Sequence, residues 1–511
     1  MTTDDNPPAE ASSQAALRRR VQGASGPGEK SDALKALGLA SLYAPPAHYT
    51  QPDTTQAGPG VAFVPSSPLE ESLLCLLLTV ELSPEVLKTD PSLIWHLALA
   101  LGVSGHSKFL ATFLGRNYLG EGSNYDVWVV KAAALEGSGQ HEKALQSMRN
   151  LVKLHAEDPR LLLQCAKLCQ QLEVDPDETI SYARRALACT DIPPGLKRTG
   201  HVVMGLAYEL RAQRCGDDLS SALAELQVAA DLDPLDYRIL YQLGRLKAIS
   251  CVPPEEVAHI AKQALEVGGA TYGPIWMLLA VARASQKETN KAVLVLDTGV
   301  REAGPAHTSQ LLRAKTRILL AAEEASKALE ALQQLMAHVQ RGTAHTEAMD
   351  DVARDALNKE EAAMWILGVH VFLALKQPTD AQFCVDRVLS LQPYSADSHF
   401  VAGLLQEEAD PAAALKSFET AMAIDPRHSD AEIHCGALYR RRASPGDLTI
   451  ARSLLSSGLK HKPNSLVGWY NLGLIDRDEG RLEESEEDLR TAATLQETNP
   501  DLSCILPRVL P

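Results

Sequence analysis

The stretch Trp469-Tyr470-Asn471-Leu472-Gly473 reads W-x2-L-G, and Ser485, Leu489 and Ala492 follow at the spacing of a second, antiparallel helix. Residues three and four apart share one helical face, so Trp469, Leu472 and Gly473 form a seam of bulk beside a gap. The preceding unit supplies the other half of the pattern: Ala414-x3-Phe418-x2-Ala421, then Ile424-Asp425-Pro426. A proline there cannot continue the helix, so the chain must turn. Together the two halves describe a helix pair that cannot bury its own apolar face and has to stack on neighbours.

Reading outward with this template recovers further copies. Trp276-x2-Leu279-Ala280 leads to Ala292-x3-Leu296, with Pro305 closing the unit. Met204-Gly205-x2-Tyr208 leads, after an insertion, to Ala222-x3-Leu226-x2-Ala229 and Asp233-Pro234. Trp128-x3-Ala132 leads to Ala144-x3-Met148 and Asp158-Pro159. Leu243-Gly244, Leu367-Gly368, Gly403 and Cys435-Gly436 mark further first helices, and Ala328-x3-Leu332 a second helix. The pattern is that of the tetratricopeptide repeat. Glycine or alanine recurs where the two helices cross closely, and large apolar residues fill the space between units. About nine or ten units fit between residues 126 and 498. The expected fold is all-α, a tetratricopeptide-repeat superhelix (an α-solenoid) with a disordered N-terminal tail.

That tail is expected over residues 1–65, where Pro7-Pro8, Gly26-Pro27-Gly28, Pro45-Pro46 and Gly58-Pro59-Gly60 interrupt any periodicity. Its Arg18-Arg19-Arg20 is read as solvated. Order is expected to begin with N-terminal helices over 66–125, opened by Ser66-Ser67-Pro68-Leu69-Glu70-Glu71, the chemistry of a helix start. A first sub-array over 126–340 and a second over 362–498 are separated by a charged, weakly periodic stretch, 341–361, read as a loop or extra surface helix. Residues 499–511 are expected to cap the last unit, with Ile505 to Leu510 docked on its exposed face.

The chain has 511 residues and a net charge of −16, with 45% hydrophobic, 22% charged and 5% aromatic residues. Such a chain can bury a core, and its Ala and Leu content favours helices over a β-sandwich or barrel. Its acidity suits neither a nucleic-acid backbone nor an anionic lipid surface. Apolar runs such as Leu73 to Leu78 fall far short of the roughly 20 residues that span a bilayer. The N-terminal sequence resembles neither a secretory signal nor a mitochondrial presequence, and a cytoplasmic chain that reaches membranes only through partners is expected. The nine cysteines contain no CxxC and are read as buried reduced thiols.

No P-loop, GxGxxG, HExxH, GxSxG or kinase signature occurs, and the array leaves no room for a catalytic domain, so no enzyme, cofactor or metal site is expected. His428, His434 and Cys435 lack structural-zinc spacing, and Arg440-Arg441-Arg442 is placed on the surface. Tetratricopeptide receptors that hold a terminal carboxylate use an Asn just after the eighth-position glycine. The corresponding residues here are Leu206, Arg245, Val281, Val369, Leu404, Ala437 and Leu474, so that clamp is absent. The partner-binding residues stay unassigned.

Four stretches go beyond the generic repeat. Ser67 to Leu78 resembles the "EEALLLLL" helix of the tetratricopeptide repeat protein seven family, which is related to the calmodulin-binding no-pollen-germination proteins of plants. Pro159 to Cys169 is similar to its "LLAAKLC" segment, Gly200 to Ala212 to its "LGLTYSLQA" stretch, and Ile505 to Leu510 to its closing "IIPREL". The resemblance implies a scaffold that bridges a lipid-anchored plasma-membrane protein, a type III phosphatidylinositol 4-kinase and a hyccin-like subunit. An alternative it leaves open is a calmodulin-binding adaptor in membrane trafficking, although no basic amphipathic helix supports calmodulin binding. A third reading is the regulatory half of an enzyme whose catalytic domain lies on another chain.

Overall fold

The computed structural model describes residues 9–45, 64–84, 92–117, 125–215, 218–250, 252–343, 351–442 and 445–498, with positions 49, 51, 86 and 90. Among these the chain is all-α: twenty-five α-helices, one short 3-10 turn and no strand. Two compact units divide it, Met1–Leu196 and Lys197–Pro511.

The first unit holds α1 (Ala9–Gly23), α2 (Pro27–Leu42), α3 (Pro68–Leu82), α4 (Ser92–Val103), α5 (Ser107–Asn117), α6 (Tyr125–Gly137), α7 (His141–Leu154), α8 (Pro159–Gln171) and α9 (Pro176–Leu187). Helix α3 starts as its sequence requires: Ser67 Oγ accepts from the Glu70 amide at 3.2 Å, Pro68 needs no donor partner, and two acids sit in the positive first turn. Leu93, Ile94, Leu97, Leu114, Leu161 and Leu168 form the fully buried centre.

Residues 9–23 and 27–42 differ from the expected disorder, because both are helices. Leu34 and Leu37 bury themselves against α3, and Gly38 comes so close that a Cβ would stand 3.0 Å from Leu76. Arg18 is not solvated either: its guanidinium donates to both carboxylate oxygens of Glu71 at 2.6 and 2.7 Å. That partner is 53 residues away, which is why composition alone reads the segment as unstructured. Residues 1–8, 46–48, 50 and 52–63 of the expected tail lie outside the described residues, as does the capping segment 499–511.

The second unit holds α10 (Pro194–Cys215), α11 (Ser220–Leu232), α12 (Tyr237–Ile249), α13 (Pro254–Glu266), α14 (Gly273–Ser285), α15 (Thr289–Glu302), α16 (Pro305–Ala321) and α17 (Ala325–Thr343). It continues with α18 (Asp351–Ala374), α19 (Pro378–Leu391), α20 (Ala396–Gln406), α21 (Pro411–Ile424), α22 (Ser429–Arg442), α23 (Pro445–His461), α24 (Leu466–Asp478) and α25 (Leu482–Thr498). Residues 351–361 of the expected insertion are the first turns of α18, continuous with the first helix of a repeat. Counted from α6, ten helix pairs run to α25.

Two backbone devices recur at the joints. Six of the turns inside a pair hold a left-handed residue: Gly139, Glu173, Lys287, Glu323, Lys376 and Gly480. In each, the next amide donates to a carbonyl five residues back, as in Val174 to Cys169 at 2.9 Å and Glu288 to Arg283 at 3.1 Å, the Schellman closure of a helix end. Between pairs, Pro159 and Pro305 do not terminate second helices, as the repeat pattern suggested; they occupy the first turn of the next first helix, where a missing N–H costs nothing.

Candidate functional site

The residues expected to pack the repeats lie mostly at helix crossings. Ala144, Ala222, Ala292, Ala414 and Phe418 have no exposed surface. A Cβ on Gly205 would stand 2.9 Å from Leu226, on Gly244 2.7 Å from Leu278, on Gly368 3.1 Å from the Cys384 sulfur, on Gly436 2.9 Å from Leu455 and on Gly473 2.9 Å from Leu489. Trp128, Tyr208, Trp276 and Trp469 are half-buried. The indoles of Trp276 and Trp469 donate to the carbonyls of Ala270 (2.8 Å) and Pro463 (2.6 Å), each six residues upstream, and so fix how the chain enters its first helix. Pro426 is exposed just beyond α21, so it ends a helix without packing.

The residues at the clamp position point inward: Leu206, Arg245, Val281, Val369, Ala437 and Leu474 are buried, and Leu404 is half-buried. Arg245 is 3% exposed because it is spoken for. Its guanidinium donates to Glu209 of the preceding first helix at 2.5 Å and to Gln242 at 3.0 Å, and Glu209 is itself 1% exposed.

Such polar links between successive first helices recur along the second unit. His428, just before α22, meets Asp397 of α20 at 3.0 Å, and burial, which lowers the imidazole pKa, is outweighed by the hydrogen bond and charge of Asp397, which raise it. His434 meets Glu407 at 3.1 Å, and Arg441 holds the other oxygen of that carboxylate at 3.0 Å. Phe400 lies between the two imidazoles, with ring centroids 5.2 and 5.5 Å away. Arg440 donates to Asn471 of α24 at 2.7 Å, so the triple arginine is partly tied down. Arg452 and Arg481 converge on the buried Asp476 at 2.7 and 2.8 Å. Sequence reading missed these links. The signal that could have found them is charge opposition at about one repeat length, since the pairs are 27 to 36 residues apart.

Cys75, Cys165, Cys169, Cys384 and Cys435 are buried free thiols, Cys189 is partly exposed and Cys215 exposed. Burial pushes Cys165 up to about 12 and Cys169 up to about 11, which makes both poor nucleophiles at neutral pH. Cys251 and Cys504 lie outside the described residues. Among the described residues no helix is long and apolar enough to cross a membrane.

Helix pairs with small residues at every crossing, and polar links running along one set of helices, define a tetratricopeptide-repeat solenoid. The tetratricopeptide repeat family model matches residues 467–499, which hold all of α25 and all but the first residue of α24. The chain is a homologue of Protein NPG1 of Arabidopsis thaliana, 25% identical over 464 residues that cover 86% of this chain and 64% of the relative. It is likewise homologous to human tetratricopeptide repeat protein 7B, 21% identical over 530 residues, 88% of this chain and 62% of that one. The resemblance read from the four non-generic stretches is thereby borne out. The chain spans just under two thirds of the length of these relatives. Among solved structures, the crystal structure of Ypp1 is similar in fold, with a TM-score of 0.54 at 12% identity over 95% of this chain and 78% of that one.

Proposed function

We propose that this chain is a non-catalytic interaction scaffold that helps assemble a phosphatidylinositol 4-kinase complex and recruit it to the plasma membrane. The observation that carries the reading is the homology to tetratricopeptide repeat protein 7B across 88% of the chain. In support, six of the seven first-helix residues at the position where a chaperone tail would be held are buried, and the described residues form helix pairs with no other fold inserted among them. The partners are a lipid kinase, a hyccin-like subunit and a lipid-anchored membrane protein, and the chain reaches the bilayer through the last of these. Affinity purification with mass spectrometry is the test. Recovery of a phosphatidylinositol 4-kinase supports the proposal, and a reproducible set of partners without any lipid kinase defeats it. Calcium-dependent capture on calmodulin would instead favour the trafficking adaptor.

A further inference from the structure

Three residues before the crossing glycine or alanine of a first helix lies a side chain that the following pair covers. Val202, Tyr241, Met277 and Ile433 hold this position and are buried, and Trp365 and Phe400 hold it half-buried. The cover comes from the next unit: Tyr241 meets Tyr272 edge-on, Phe400 lies against His428 and His434, and Ile433 packs with Ile475. In α24 the same position holds Tyr470, and it is 50% exposed. The second-helix residue that closes on the crossing changes with it. Leu226, Cys384, Phe418 and Leu455 are buried, whereas Leu489 of α25 is only half-buried. Among the described residues no pair follows α25, so Tyr470 and Leu489 stand open at this end of the stack.

Whatever covers this face has to be apolar and has to tolerate an acidic neighbour, because Glu483, Glu484, Glu486 and Glu487 of α25 are exposed. A second copy stacked on the same face would bring two such acidic helices together, and like charges oppose that arrangement. Residues 499–511, which follow α25 directly, meet both demands. Leu502, Ile505, Leu506, Val509 and Leu510 are aliphatic, and the charges of Asp501 and Arg508 cancel. They are also within reach. Ser485 Oγ donates to the Gly473 carbonyl at 2.8 Å and Leu489 faces the same glycine, so α25 runs back along α24 and Thr498 lies level with the residues just before α24. Tyr470 is then about eight residues, or roughly 12 Å, along the helix axis from Thr498. The seven residues from Thr498 to Ile505 span up to roughly 23 Å when extended. So short a tether holds the segment at an effective concentration on the order of millimolar, which a free partner does not match.

We propose that the segment from Leu502 to Leu510 docks on the α24/α25 face, with its aliphatic side chains over Tyr470 and Leu489 where a further helix pair would otherwise stack. A partner helix that continues the stack at this end has to displace the segment first. The inference holds whichever partners the scaffold carries.

The test replaces Tyr470 by p-benzoylphenylalanine in the full chain and maps its photo-crosslinks by mass spectrometry. Crosslinks should fall on residues 502–510 of the same chain. Ile505→Asp/Leu506→Asp should cut their yield at least about fivefold and, in the chain that keeps Tyr470, speed amide exchange in α24 at least about tenfold. Leu294→Asp, an apolar-to-acid change at an exposed position on α15, should leave both readouts within about twofold. The exchange measurement keeps the test valid even where the photoreactive chain fails to fold. Crosslinks that join two copies, crosslinks confined to other parts of the chain, or unchanged exchange in Ile505→Asp/Leu506→Asp overturn the proposal.

Discussion

Removing one half of the Glu209–Arg245 pair should harm the protein more than removing both halves. The two side chains are 1% and 3% exposed and meet at 2.5 Å between successive first helices. At an effective dielectric of about 20, charges about 4 Å apart attract by about 4 kcal/mol. Most of that attraction offsets the cost of taking two ions out of water, so the intact pair contributes little net stability. Glu209→Leu removes the attraction and leaves the Arg245 charge buried beside Gln242, a neutral amide that cannot replace a carboxylate. The expected cost is about 3–5 kcal/mol, and Arg245→Met should cost a similar amount. The double variant, two apolar side chains of similar volume, should fall within about 1 kcal/mol of the native chain. Solenoids do not unfold in two states, so the readout is hydrogen exchange of the α10 and α12 amides, with urea unfolding as a global check. Each single variant should speed exchange there by about two orders of magnitude or more, at about 1.4 kcal/mol per factor of ten, and the double should nearly restore it. Costs that simply add would refute the reasoning, because the two charges would then not depend on each other.

Four further outcomes follow from named contacts. Arg18→Ala leaves the buried Glu71 without its bidentate partner and should speed amide exchange in α1 and α2 at least tenfold while α8 and α9 keep their protection. The raised pKa of His428 stabilises the fold fully below its unfolded value of about 6.5, and that contribution is lost as pH rises through the higher folded value, so the native chain should lose protection in α20 and α22 as pH climbs past about 6.5 and Asp397→Asn should flatten that dependence. Lys287→Gly relieves a left-handed φ of 58° and should raise stability by about 0.5–1 kcal/mol in thermal unfolding, whereas Lys291→Gly in the adjoining helix should lower it. Gly473→Trp, forced against Leu489 at a crossing with no free space, should cost about 1–3 kcal/mol, and unchanged melting would mean the crossing lies elsewhere.

The helix pairs were legible because their signal is local. Trp469, Leu472 and Gly473 specify a seam within one turn, and Ala414 with Phe418 specifies the face that closes on it, so about nine or ten pairs can be read without knowing any long-range contact. The turns inside the pairs were only half legible. Gly139 and Gly480 announce a left-handed closure, but Glu173, Lys287, Glu323 and Lys376 adopt the same conformation against their own preference, because the packing of the two flanking helices decides the turn. Helices α1 and α2 were illegible for the opposite reason, since the groups that hold them, Glu71 and the α3 side chains, come from a later segment with no fixed spacing to them.

The charged links on the first helices fall between these cases, legible only as charge opposition at about one repeat length. In a solenoid each first helix faces the next one a repeat away, so complementary charges recur at that distance: Glu209 to Arg245 spans 36 residues, and Asp397 to His428 and Arg440 to Asn471 span 31 each.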